Sequence, residues 1–331
     1  MQVHHQLSAR TCRLETSFED LPLHPDHPVV SAWGIWGDED ELGTLNLLDD
    51  ATTKAAAQGI KEGLTIPLNL PLDSFPQPMN PVRKSCTHHI IAKGHANDDE
   101  LHINTQGSSH WDGLRHYPYQ QTLQYYNGVT QEDISGERAN ERIGVHNQAS
   151  KTITGRAVLL DWAAWAASQN ISYDPFSIHA IPLAQLQAVA TSQKVEFKAS
   201  DILLIRTGWL AAFKALSPEQ QRELPRRQVR SSMGVEASEE SLKWHWNNAF
   251  AAVASDTVAY ESWPSSKPNR FGVSMHEVFL SGWGMPIGES FDLEVLSKKC
   301  RELGKWSFFF ASVPLYIKGG VASPPNAVAI L

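Results

Sequence analysis

The chain has 331 residues, with 28 Lys and Arg against 36 Asp and Glu, for a net charge of −8. At 42% hydrophobic and 19% charged it has a globular composition and not a disordered one, and it is long enough to bury a core without disulfide or metal staples. The acidic balance excludes nucleic acid and anionic membrane surfaces as expected partners. No apolar run approaches the ~20 residues of a membrane span, and the first residues show no apolar signal-peptide core. Cys12, Cys86 and Cys300 are too few and too scattered for a disulfide framework or a cysteine zinc site, which fits a reducing, cytoplasmic setting. Eleven Trp and 14 His are unusual, and they favour an enzyme with an aromatic pocket and titrating or metal-binding imidazoles.

Residues 1–30, rich in His, Pro and Asp, read as an irregular arm, and residues 31–331 as one domain. Asp49 and Asp50 open a short alanine-rich helix that closes at Gly63. Ile66 to Leu72 reads as a strand broken by prolines, and His88 to Ala92 as another. Gly155 to Asp161 and Asp201 to Gly208 are short apolar runs bounded by turn residues, as expected of strands buried on both faces. Leu183, Leu186 and Val189 mark an intervening helix. Leu242 and Trp246, with Phe250 at the same spacing, follow a Ser238 cap. Phe250 to Ser255 and Trp306 to Ile317 are further strand candidates. Between them Leu293, Leu296, Cys300 and Leu303 mark a last helix ended by Gly304. Buried strands alternating with helices predict an α/β fold, a single domain with a mixed β-sheet core flanked by helices.

The most informative stretch runs from Asn104 to Tyr117. His110 and Asp112 are two residues apart, so on an extended segment both leave the same face, with alpha carbons ~6.6 Å apart. An imidazole nitrogen and a carboxylate oxygen placed so can converge on one ion, or can simply hydrogen-bond to one another. Gln106 would lie ~13 Å from His110 on a straight strand. A bend at Gly107-Ser108-Ser109 would bring it back, and Gly113 lets His116 turn toward the same place.

This stretch resembles the signature His-x-Gly-Thr-His-x-Asp-x-Pro-x-His of the cyclase family that contains bacterial kynurenine formamidase and isatin hydrolase. Gln106 falls on the first His, and His110, Asp112 and His116 match the remaining functional positions. The segments WGDEDELGTLNLL, GRAVLLDW, DILLIRTGW and MHEVFLSGWGMPIGESFDLEVL are similar to the longer fungal and actinobacterial branch. The resemblance implies a kynurenine formamidase-like swivelling β/β/α fold and a metal-dependent hydrolase that opens amides, lactams or lactones of a small aromatic or cyclic substrate. It implies metal ligands at Gln106, His110, Asp112, His276 and Glu289, with the last two holding a second ion or Glu289 acting as base if one ion binds. His116 takes the role of proton carrier, and a dimer or higher homo-oligomer is expected.

Gln106 in place of a histidine leans the ligand set toward oxygen and favours Mn²⁺ or Zn²⁺, as one or two ions. Trp36, Tyr126 and Trp283 are candidate pocket walls, with core packing as the alternative for each. Two other functions remain open from sequence. One is a cyclase or dehydratase of secondary metabolism using the same site, and the other is a binding protein whose metal site has decayed.

Overall fold

The computed structural model describes residues 13–264 and 269–331. In chain order its strands are β1 (Thr65–Pro67), β2 (Thr87–Ala92), β3 (Asn97–His102), β4 (His110–Asp112), β5 (Ile153–Asp161), β6 (Ala180–Ile181) and β7 (Ile202–Arg206). Then follow β8 (Gly234–Val235), β9 (Ala252–Ser255), β10 (Ile287–Glu289), β11 (Ser307–Ser312), β12 (Ala322–Ser323) and β13 (Ala327–Ile330). Nine of them form one mixed sheet in the order β1-β13-β11-β5-β7-β9-β10-β4-β12. The four central strands β5, β7, β9 and β10 are parallel, and the flanking pairings are antiparallel. The expected α/β fold with a mixed, helix-flanked sheet is the fold observed.

Alternation along the central strands divides the core. Val158, Leu160, Leu203 and Ile205 enter one apolar cluster, and Ala157, Leu159, Ile202 and Leu204 enter the other. Burial on both faces is why these runs are apolar without a break. The helix Leu183–Gln193 covers the first face with Leu186 and Val189, and the helix Glu294–Leu303 covers the second with Leu296 and Cys300. Each fully buried Leu or Ile contributes roughly 1.5–3 kcal/mol. The caps act as the sequence indicated: Ser238 Oγ accepts from Ser241 N, and Gly304 takes φ +62° after the last helix.

Three expected strands differ in extent or place. The first is only Thr65–Pro67, because prolines remove ladder donors on either side of Asn69. The stretch from Trp306 is regular only over Ser307–Ser312, after which Val313, Pro314 and the following residues leave the ladder. His88 to Ala92 is a strand, but it pairs with β3 in a separate hairpin whose residues are all exposed. Residues 1–12 of the expected N-terminal arm lie outside the described residues. From Arg13 onward the arm lies on the domain, with Phe18 buried and the Arg13 guanidinium stacked over Trp246 at 3.3 Å. Among the described residues no helix is long and apolar enough to cross a membrane.

Candidate metal centre

The strand β4 is His110-Trp111-Asp112, and its alternation decides the site. Trp111 points into the core against Phe291 and Phe310, so His110 and Asp112 both face the opposite side. In the antiparallel register His110 lies directly across from Glu289 and Asp112 across from Ile287. One cross-strand pair therefore brings a third ligand-type side chain beside the first two. His110, Asp112 and Glu289 present atoms within 4.8 Å of one another, all buried.

His276 reaches this group from the start of a π-helical turn, Glu277–Gly282, which leads back toward β10. Its Nε2 is 3.1 Å from Glu289 Oε1 and 3.8 Å from Asp112 Oδ2. After β4 the chain turns at Gly113, where a Cβ would meet Val321 O at 2.7 Å. That turn, closed by a bond from His116 N to Gly113 O, sets His116 Nε2 3.8 Å from Asp112 Oδ2. The predicted bend at 107–109 is present and returns Gln106 to the site, where its Nε2 donates to Asp112 Oδ1 at 2.7 Å. Gln106 thus faces the carboxylate with its amide N–H, and its oxygen could serve as a ligand only if the amide turned.

The outer partners orient both imidazoles. His110 Nδ1 donates to Ser108 O at 2.8 Å, and His276 Nδ1 donates to Glu261 Oε2 at 2.7 Å. With Nδ1 engaged as the donor, the neutral form of each ring carries its lone pair on Nε2, toward the site. His110 Nε2 lies 3.3 Å from Glu289 Oε2 and 3.4 Å from Asp112 Oδ1, but aligns with neither. His110 Nε2 and Asp112 Oδ2 are buried without a hydrogen-bond partner. With both rings neutral, lone pairs of two imidazoles and two carboxylates meet here, and Gln106 Nε2 is the donor that remains on Asp112. Such a cluster calls for positive charge, either protons or a cation.

The proton affinities agree. Burial opposes a charged His110, but Asp112 and Glu289 outweigh it and raise its pKa to about 9. At His276 burial acts in the same sense and is overcome by Glu261 and Glu289, so its pKa lies well above the ordinary value. Burial would raise the Asp112 and Glu289 carboxyls, and Asp112 would raise Glu289 further, yet the histidines hold both carboxyls low. His116 differs: burial, aided by the charge of His276, lowers its pKa despite Asp112, and favours the neutral ring.

Of the expected site residues, the fold brings Gln106, His110, Asp112, His116, His276 and Glu289 together. It does not bring in Trp36, Tyr126 or Trp283. Trp283 is a core residue stacked on Phe279 with its Nε1 bound to Val30 O, and Tyr126 is fully buried with its hydroxyl on Asp40. Trp36 packs against the apolar clusters. None of the three lines the cavity of about 590 Å³ above the centre; its apolar walls include Phe75, Phe176, Trp209, Val258 and Trp263. Sequence reasoning missed Glu261 entirely. It lies 15 residues before His276, outside the matched motif, and no local signal marks it.

The model of the cyclase family matches residues 22–262. The chain belongs to the cyclase family. A crystal structure described as that of a novel cyclase is 30% identical, with a TM-score of 0.79, covering 91% of this chain and 99% of that one. Isatin hydrolase A from Ralstonia solanacearum is 16% identical with a TM-score of 0.55, covering 84% of this chain and 95% of its own. An isatin hydrolase bound to the product analogue thioisatinate gives the same TM-score at 12% identity, with coverage of 86% and 99%. At these identities the isatin hydrolases share the fold with this cyclase-family chain. No curated protein matches it.

Proposed function

We propose that this cyclase-family protein is a metal-dependent hydrolase, acting on an amide, lactam or lactone bond of a small aromatic or cyclic substrate. The observation that carries the reading is the pair of unpartnered buried atoms, His110 Nε2 and Asp112 Oδ2, in a cluster where His110, Asp112 and Glu289 present ligand atoms within 4.8 Å of one another. The donor set fits a divalent cation: two imidazoles and two carboxylates, held by His110, His276, Asp112 and Glu289. Its oxygen content favours Mn²⁺ or Zn²⁺, as one or two ions. A bound ion supplies Lewis-acid polarisation of a carbonyl and lowers the pKa of water from 15.7 toward ~7.

The chain's own groups do the rest. His116 lines the cavity, and its lowered pKa favours the neutral ring near pH 7, so it can accept a proton from water and return it to the leaving nitrogen or oxygen. Gln106 Nε2 lies 3.2 Å from both ring nitrogens of His116 and 2.7 Å from Asp112, and orients the two relative to one another. Phe75, Phe176 and Trp209 offer an aromatic, apolar wall for the ring of the substrate. The isatin hydrolase neighbours support this reaction class. The 30% identical cyclase favours a second reading, ring closure or dehydration in the same centre with His116 in the same role. A cytoplasmic homo-oligomer, dimer or tetramer, is part of the proposal, and the wholly exposed β2–β3 hairpin is suited to a second copy.

The test begins with metal content of protein purified without added metal, beside His110→Ala and Asp112→Ala. About one or two ions per chain, lost in both variants, are expected. Formyl-anilides, lactams and lactones are then incubated with and without chelator, and product mass separates addition of water from its loss. A wild-type protein that takes up neither Mn²⁺ nor Zn²⁺ on titration would overturn the reading.

A further inference from the structure

The cavity above the metal centre reverses the charge of the chain. The protein carries an excess of eight acidic residues, yet Glu289 at the floor is the one acidic side chain on the described cavity lining. Three arginines line the same cavity: Arg83, Arg227 and Arg230. None of them has a carboxylate partner among the described residues. Each is held by a neutral acceptor instead: Arg83 Nη1 donates to Gln106 O at 2.9 Å, Arg227 Nη1 to Phe176 O at 3.1 Å, and Arg230 Nη1 to Asn80 Oδ1 at 3.2 Å. A guanidinium has five donors, so one bond fixes its place and leaves a fork free.

Several arginines off the cavity are paired with carboxylates instead. Arg226 donates to Glu223 at 2.9 Å and is not on the cavity lining, although Arg227 is the next residue. Arg156 and Arg270 likewise meet Asp201 and Glu239. Arg13, Arg115, Arg138 and Arg222 also lack a carboxylate partner among the described residues, but none of them lines the cavity, and Arg115 gives its donors to the carbonyls of Gly319, Asp133, Ile134 and Asn140. Arg83, Arg227 and Arg230 share one cavity and make one bond to a neutral acceptor each. Arg83 is bonded to Gln106 of the metal centre, and the Arg227 guanidinium lies 5.7 Å from the ring of Phe176, one of the aromatic walls.

We propose that the ligand of this cavity carries an anionic oxygen group, a carboxylate or a phosphate, remote from the carbonyl that meets the metal centre, and that Arg227 and Arg230 bind it with Arg83 nearer the floor. The inference rests on the hydrolase reading only in calling that ligand the substrate. It defines the substrate class as an apolar or aromatic acid with its reactive carbonyl at the opposite end.

The test is equilibrium binding to the full chain after dialysis against chelator, so that no metal can capture the anion. The probes are 4-phenylbutyrate, its neutral amide 4-phenylbutanamide, and 3-phenylpropyl phosphate, followed by calorimetry at low salt. We expect one or both anions to bind about tenfold more tightly than the amide, a preference that 0.5 M NaCl weakens by screening. The carboxylate-to-phosphate ratio identifies the group. In Arg227→Ala/Arg230→Ala the preference falls toward unity while the amide binds as before. Both residues are exposed, so the fold is expected to survive the change. Equal binding of acid, phosphate and amide, or no binding of any probe, would overturn the inference. Failure of the hydrolase reading shows separately, as absence of metal uptake with the anion preference intact.

Discussion

Glu261 is the residue through which the metal centre can be perturbed without touching a proposed ligand. It is fully buried, and both of its oxygens are occupied by His276: Oε2 accepts from Nδ1 at 2.7 Å and Oε1 from the backbone N–H at 3.1 Å. Glu261→Gln keeps the volume but supplies one acceptor and two donors. If the amide oxygen takes the backbone N–H, the amide nitrogen faces Nδ1, which must then become an acceptor. The ring proton moves to Nε2 and covers the lone pair aimed at Glu289 and Asp112. Loss of such an outer partner costs 10–100-fold in metal affinity, or about 1.4–2.8 kcal/mol. Metal titration against a competing chelator measures the affinity, and nitrogen-15 shifts of the His276 ring report the tautomer. We expect weaker binding together with a proton on Nε2. Affinity within twofold of wild type, with Nδ1 still protonated, would refute the reasoning that Glu261 sets the state of His276.

Metal uptake should release protons, because the metal-free centre holds His110 charged up to about pH 9 and His276 is likewise shifted upward. The sign follows: affinity falls as pH is lowered below those values, by about tenfold per unit for each proton displaced, and calorimetry in buffers of different ionisation enthalpy counts the protons. Trp283→Ala should cost about 3–5 kcal/mol of stability by urea unfolding, while any activity of the folded fraction keeps its KM, because the side chain is buried on Phe279 away from the cavity. Paired Asp substitutions at the exposed Ile90 and Leu101 of the β2–β3 hairpin should leave thermal unfolding of the dissociated chain unchanged and shift sedimentation toward monomer. Unchanged sedimentation of an oligomer would remove that hairpin from the interface.

Much of this molecule is local and therefore legible in the sequence. The apolar runs at 155–161 and 201–208 became β5 and β7 because strands buried on both faces need no polar alternation. The caps Ser238 and Gly304 and the shared face of His110 and Asp112 follow from residue types and from the two-residue period of a strand. The motif around Gln106 to His116 carried the family and most of the centre. What the sequence did not contain was which distant segments would meet. Trp36, Tyr126 and Trp283 have the composition of a pocket wall, but side-chain type is the same in a wall and in a core, and only packing assigned them to the core. The register that sets Glu289 across from His110, the Glu261 carboxylate behind His276, and the arginines at 83, 227 and 230 on one cavity all depend on strand order and loop path. Those contacts join residues tens to hundreds of positions apart, where no periodicity reaches, and the tertiary structure alone decides them.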